Sequence, residues 1–201
     1  VLYIDIFEKS NEFGPGLHST STLPEALLNR IAGQISLCSR KKNNLKLSDY
    51  DDYFETFLEW SNFKYLKTKN SVYNFKSEDW PPRYILGEAL KYQFQTVVKL
   101  LKKNNNIKIR LLNECVEDIL IDNRRYCLKT NKNVYSYNEV LIVKGTPKNS
   151  GIKIFNELSQ NNDLRYINYF PNPFPLDIMI NKIKELEKNK VFLIGGGATG
   201  I

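Results

Sequence analysis

The chain's last eleven residues constrain its fold more than any other stretch. Val191-Phe-Leu-Ile194 is an unbroken apolar run that leads directly into Gly195-Gly-Gly197-Ala-Thr-Gly200. An apolar run of this length entering Gly-x-Gly-x-x-Gly reads as a buried parallel strand entering a phosphate-binding turn. Gly195 would make the tight turn. Gly197 would let backbone approach a pyrophosphate, and Gly200 would let the next helix pack closely on the strand. The phosphate would rest on free N–H groups at that helix's N-terminus. The competing reading is an ordinary glycine-rich turn. The sequence stops at Ile201, before such a helix. Val1 already lies in an apolar alternating run. The expectation is therefore an internal piece of a longer protein, cut at both ends.

Composition excludes several classes. With 201 residues, 42% hydrophobic and 12% aromatic, the chain can fill a core and is not disordered by composition. The net charge of +7 is spread over scattered lysines and arginines. Without a dense basic tract, no nucleic-acid partner is expected. Cys38, Cys115 and Cys127 form no C-x-x-C pair, which suits reduced thiols in a cytoplasmic protein. The single histidine, His18, argues against a histidine-based metal site, and no metal is expected. No apolar run approaches the roughly 20 residues that span a bilayer.

Val1–Phe7 alternates in the manner of a strand and ends at Glu8. An acidic residue at a strand end about 20 residues after a glycine loop takes ribose hydroxyls in dinucleotide-binding folds. Alternatively, Glu8 is a charged strand-end residue. Phe13-Gly14-Pro15-Gly16-Leu17-His18 is a turn whose glycines could admit a ligand close to backbone. Asn29 and Gln34 are polar among apolar neighbours. They could meet a heterocycle or satisfy nearby backbone. Residues 39–80 are polar and aromatic, with a short helix expected within Tyr50–Trp60 and no role legible.

Trp80-Pro-Pro-Arg83 opens a long helix, with proline expected at its first helical position. Apolar residues from Ile85 to Leu101 recur at helical spacing. Arg83, in the first turn, could hold an anion or a ring carbonyl, or serve as a surface salt-bridge partner. The period then changes to two. Ile107–Leu112, Val116–Ile121, Tyr126–Thr130 and Val134–Tyr137 read as strands, the last three a meander turning at Asp122-Asn123 and Asn131-Lys132. Val140–Val143 reads as a strand buried on both faces, leading to Lys144-Gly145-Thr146-Pro147. Residues 148–175 look loop-like, with a helical turn near Ile154–Leu158 and a proline-stiffened crossing at Tyr169–Pro175. A short helix follows within Ile178–Leu186.

The order of these features resembles the FAD/NAD(P)-binding flavoproteins of the urate hydroxylase-like and aspartate N-monooxygenase-like group, relatives of the flavin-containing monooxygenases. The resemblance covers nearly the whole chain except about residues 39–78, and it rests on motif order rather than on one motif. It implies an α/β, Rossmann-like three-layer fold with a β-meander, truncated at both ends. It implies an FAD-binding domain over 1–147, lacking its first strand and glycine loop and carrying a variable insertion at about 39–78. A connector at 148–190 and the start of an NAD(P)-binding domain at 191–201 would follow. In that scheme Glu8 holds the FAD ribose, and Gly14 and Gly16 run near the pyrophosphate or flavin. Asn29 and Gln34 approach the flavin or nicotinamide, Val116 lies beside the adenine, and Gly145 packs against FAD. Gly195, Gly197 and Gly200 begin the NADPH site. Lys144 stands where the family usually has threonine, and Thr146 where it often has histidine.

The implied function is an FAD-dependent, NAD(P)H-using oxidoreductase of monooxygenase type acting on a small-molecule substrate. A non-catalytic nucleotide-binding scaffold or sensor on the same fold is the alternative, which Lys144 favours slightly. An S-adenosylmethionine-dependent methyltransferase, which also places a glycine turn after a strand, is a third reading. His18 is the tempting acid–base candidate, but a single loop histidine is more often solvent-exposed, and no catalytic residue is assigned.

Overall fold

The computed structural model describes residues 1–19, 23–38, 53–122, 124–143 and 176–185, together with Glu157 and Phe170. Two strands far apart in sequence build its centre. β1 (Leu2–Phe7) and β2 (Ile107–Leu112) pair in parallel, from Leu2 opposite Ile107 to Phe7 opposite Leu112. A parallel pair needs a long crossover. Here the crossover contains two helices, α1 (Phe57–Thr68) and α2 (Arg83–Lys102). The chain is thus α/β.

α2 forms because its apolar residues fall on one side of the helix. Ile85, Leu86, Ala89 and Val98 are buried, with basic Lys99 and Lys102 in the last turn, where the helix dipole favours cations. Proline stands one position earlier than expected. Pro82 is the N-cap, in extended conformation, and Arg83 is the first helical residue. The start is fixed by backbone instead of a side-chain cap. Arg83 N–H donates to Ala26 O (2.8 Å) and Leu28 N–H donates to Pro81 O (2.9 Å).

α1 differs from the expected helix at Tyr50–Trp60: it starts at Phe57 and runs on to Thr68. Its beginning is set by a capping box. Thr56 Oγ1 accepts from Glu59 N–H (3.2 Å), while Glu59 Oε2 accepts from Thr56 N–H (3.0 Å). Lys69, at φ 55°, ends it. This segment is no loose appendage. Phe57 and Trp60 are fully buried and join Leu28, Ala32, Ile35, Ile85, Leu86 and Ala89 in one core, with Tyr73 and Phe75 packed against it.

After β2, the strands β3 (Val116–Asp122), β4 (Arg125–Thr130) and β5 (Val134–Tyr137) form the expected antiparallel meander. Arg124, at φ 64°, takes the left-handed position of the first turn. The two faces of the β1–β2 pair meet different neighbours. Leu111 lines a cavity with Phe94 and Val98 of α2. Asp5, Phe7 and Arg110 turn to the meander, where Phe7 packs edge-on to Tyr135 and Tyr137. Asp5, its side chain only 5% exposed, takes a two-pronged bond from Arg110, Nε to Oδ1 at 2.7 Å and Nη2 to Oδ2 at 2.5 Å. The Tyr137 hydroxyl donates to the same carboxylate. Helix, strand pair and meander therefore lie in that order.

Val140–Val143 is not the buried strand that its apolar run suggests. It has no strand assignment, and Leu141, Ile142 and Val143 are 87%, 67% and 80% exposed. An apolar run becomes a buried strand only if a neighbour supplies a ladder and both faces are covered. Among the described residues, nothing pairs with it. The last described helix, α3 (Leu176–Lys184), starts two residues before its expected position. Glu157 is helical, as expected near Ile154–Leu158. The remainder of 148–175 apart from Phe170, the 191–194 strand and Asn123 lie outside the described residues.

Two outcomes follow for the sheet–meander joint. Tyr137→Phe removes a hydrogen bond to a carboxylate and is expected to cost about 1–3 kcal/mol in urea unfolding. The bond from Arg110 holds the Asp5 pKa below its ordinary value, against the opposing effect of burial. The stability it contributes is present above the unfolded value of about 4 and is lost as pH falls through the lower folded value. The stability gap between wild type and Asp5→Asn should therefore narrow on acidification below about pH 4. A gap constant from pH 7 to pH 2 would contradict this.

Candidate functional site

One site candidate, Glu8, stands where the C-terminal ends of β1 and β2 meet. Glu8 follows β1 directly, half-buried, and its backbone N–H donates to Leu112 O at 3.1 Å. The parallel ladder thus extends one bond beyond the strand and aims Glu8 out of the sheet's end. Its carboxylate is already oriented. Oε1 accepts from the Ser10 backbone N–H (2.9 Å) and the Ser10 hydroxyl (2.8 Å). Asn113, just past β2, reaches back across. In the amide orientation that satisfies both its polar atoms, Nδ2 donates to Glu8 O (3.0 Å) and Lys9 O (3.2 Å).

Val116 opens β3 beside this end, half-buried and paired with Thr130. The crossing from β2 into the meander is held by Glu114, which is buried. It accepts from Thr130 Oγ1 (2.6 Å), the Tyr135 hydroxyl (2.8 Å) and Asn133 Nδ2 (3.4 Å). The Thr130 bond, with those from Tyr135 and Asn133, holds its pKa below the ordinary carboxylate value.

The Phe13–His18 turn carries two glycines with different jobs. Both have left-handed backbone, Gly14 at φ 106° and Gly16 at φ 56°. A Cβ at Gly14 would stand 2.7 Å from Phe94 Cβ and 3.1 Å from Leu90 O. Gly14 therefore serves close packing on α2. A Cβ at Gly16 would meet nothing within 4 Å, so a side chain would have room there. His18 is half-buried, not the exposed loop histidine expected. Its Nδ1 is buried without a hydrogen-bond partner. Burial, then the nearby Arg83 charge, pushes its pKa below the ordinary value, so the ring is neutral at pH 7. Arg83 itself is partly buried in the first turn of α2, and burial lowers its pKa. Asn29 and Gln34 are both exposed, Gln34 within a short 3-10 turn (Ala32–Gln34).

The structure thus places Glu8 at the strand ends beside Asn113, and His18 near Arg83. Gly145, Gly195, Gly197 and Gly200, like Lys144 and Thr146, lie outside the described residues. Among the described residues no metal-binding group of histidine, cysteine, aspartate or glutamate is found, and no helix is long and apolar enough to cross a membrane. A strand-end carboxylate, a glycine turn and an arginine in a helix's first turn are each residue types that suit a dinucleotide.

An α/β chain with a parallel strand pair, an acidic strand end and a meander on the opposite face from its long helix is a nucleotide-binding domain by type. A family model described as FAD-NAD(P)-binding matches residues 1–147, and the chain belongs to that family. Its cofactors are FAD and NAD(P)H, a pairing of oxidoreductase type. No curated protein matches the chain.

The two glycines give opposite expectations for alanine. Gly14→Ala combines a positive φ with a collision against Phe94 Cβ and a tight fit to the α2 backbone, and should destabilise by roughly 2–3 kcal/mol. Gly16→Ala meets open space and should cost only about 1–2 kcal/mol from its φ. Urea unfolding of the two variants reads the difference, and equal losses would contradict the packing role of Gly14.

Proposed function

We propose that the chain is the FAD-binding part of a flavin-dependent, NAD(P)H-using oxidoreductase of monooxygenase type, residues 1–147 forming that domain. Residues 148–190 connect it to an NAD(P)-binding domain that begins at 191–201 with Gly195, Gly197 and Gly200. The observation that carries this reading is the fixed Glu8 carboxylate at the end of β1, beside the end of the parallel partner strand. Glu8 accepts the ribose hydroxyls of FAD. Gly16 lets the cofactor pass close to backbone, and Arg83 supplies positive charge toward its diphosphate or ring carbonyl. Val116 flanks the adenine, Asn29 and Gln34 present their exposed amides on the flavin side, and Gly145 packs against the cofactor. Gly14 contributes indirectly by seating the turn on α2. FAD, when bound, supplies the redox chemistry, taking hydride equivalents from NAD(P)H. The chain's own residues bind and orient it.

The full-length protein should purify yellow, with flavin absorbance that NADPH bleaches without oxygen. Arg83→Ala should weaken FAD binding about 10-fold or more, the loss of one charge-assisted contact. A yellow protein that NADPH leaves unchanged would instead make it a non-catalytic scaffold or sensor. A colourless protein that takes up S-adenosylmethionine would overturn the flavoprotein reading.

A further inference from the structure

Glu8 is tethered at three points before any ligand arrives. Its N–H is held by Leu112 O, its carbonyl lies 3.0 Å from Asn113 Nδ2, and its Oε1 takes both donors of Ser10. Fixing a long carboxylate side chain costs conformational entropy. Here that ordering is already supplied by neighbours two and roughly a hundred residues away. Ser10 holds the side chain, and Asn113 holds the backbone of the loop that bears it. Asn113 also links the Glu8–Lys9 loop to the end of β2, so the two strand ends are fixed to one another.

From this geometry we infer that Ser10 and Asn113 are positioning residues for the ribose-binding carboxylate, and that the Ser10 hydroxyl selects which carboxylate oxygen meets the sugar. The inference rests on the assignment of Glu8 to the FAD ribose. With Oε1 engaged by Ser10, Oε2 is the oxygen directed to the ribose. Neither residue needs to touch the cofactor, because both act through Glu8.

The test is FAD titration of the full-length apoprotein, followed by quenching of flavin fluorescence. Variants are Glu8→Gln, Ser10→Ala, Ser10→Thr, Asn113→Leu and the double variant Glu8→Gln/Ser10→Ala. Glu8→Gln should weaken FAD about 10- to 100-fold. Ser10→Ala should weaken it about 5- to 10-fold, and Ser10→Thr, which keeps the hydroxyl, should restore it. In the Glu8→Gln background, Ser10→Ala should have no further effect, because its action runs through the carboxylate. Asn113→Leu should weaken FAD by more than its effect on the apoprotein's thermal midpoint explains. Unchanged affinity in Glu8→Gln would remove the ribose assignment itself. A loss in Glu8→Gln with wild-type affinity in Ser10→Ala, or a Ser10 effect that persists undiminished in the double variant, would overturn the positioning role alone.

Discussion

The parallel pairing of β1 with β2 is the constraint on which everything else depends. It joins residues 105 apart in sequence, Asp5 and Arg110, in a two-pronged charge bond. It also ends both strands at the same level, so that Glu8 and Asn113 leave the sheet together. A parallel pair cannot be closed by a tight turn, and the long crossover this imposes is where α1 and α2 find their place. The site is a by-product of that geometry. Strand ends that finish side by side present together whichever side chains stand there, and this chain places a carboxylate at that point.

The crossover is more than a connection. Phe57 and Trp60 of α1 are fully buried in one core with Ile85 and Ala89 of α2, and Ala32 of the short turn is buried with them. Aromatic residues carry much of this packing, with Trp60 edge-on to Tyr73 and Phe57 tilted against Phe75. Burying side chains of this size contributes about 1.5–3 kcal/mol each. The first turn of α2, which carries Arg83, is thereby tied to the core and to the Ala26–Leu28 backbone. The opposite face is held by Phe7 packed edge-on to Tyr135 and Tyr137 and by polar contacts. There, Asp5, Arg110 and Tyr137 with Glu114, Thr130 and Tyr135 dock the meander onto the strand pair.

What could be read from the sequence was what depends on periodicity. β1, α2 and the four later strands fall where alternation or helical spacing puts them, because each has one face that must be buried. α1 was misplaced because its apolar residues are distributed around much of its surface. Its real start was written in Thr56 and Glu59, a local signal that periodicity does not weigh. Val140–Val143 was misread because apolarity reports a demand for burial, not its fulfilment. Gly14 and Gly16 look alike in sequence. They differ only because α2 passes one and leaves the other open. The strand-end position of Glu8 was legible from the alternating run before it. The grip of Ser10 and Asn113 upon it was not, since Asn113 reaches Glu8 only through the parallel register.

The central claim is that the joined ends of β1 and β2 form the ribose-binding end of an FAD site. The most direct test is a crystal structure of the FAD-loaded protein, read for one separation. A Glu8 carboxylate oxygen should lie within about 2.5–3.0 Å of an adenosine ribose hydroxyl, as a charge-assisted bond requires. An adenosine ribose lying against other residues, with Glu8 facing solvent, would contradict it.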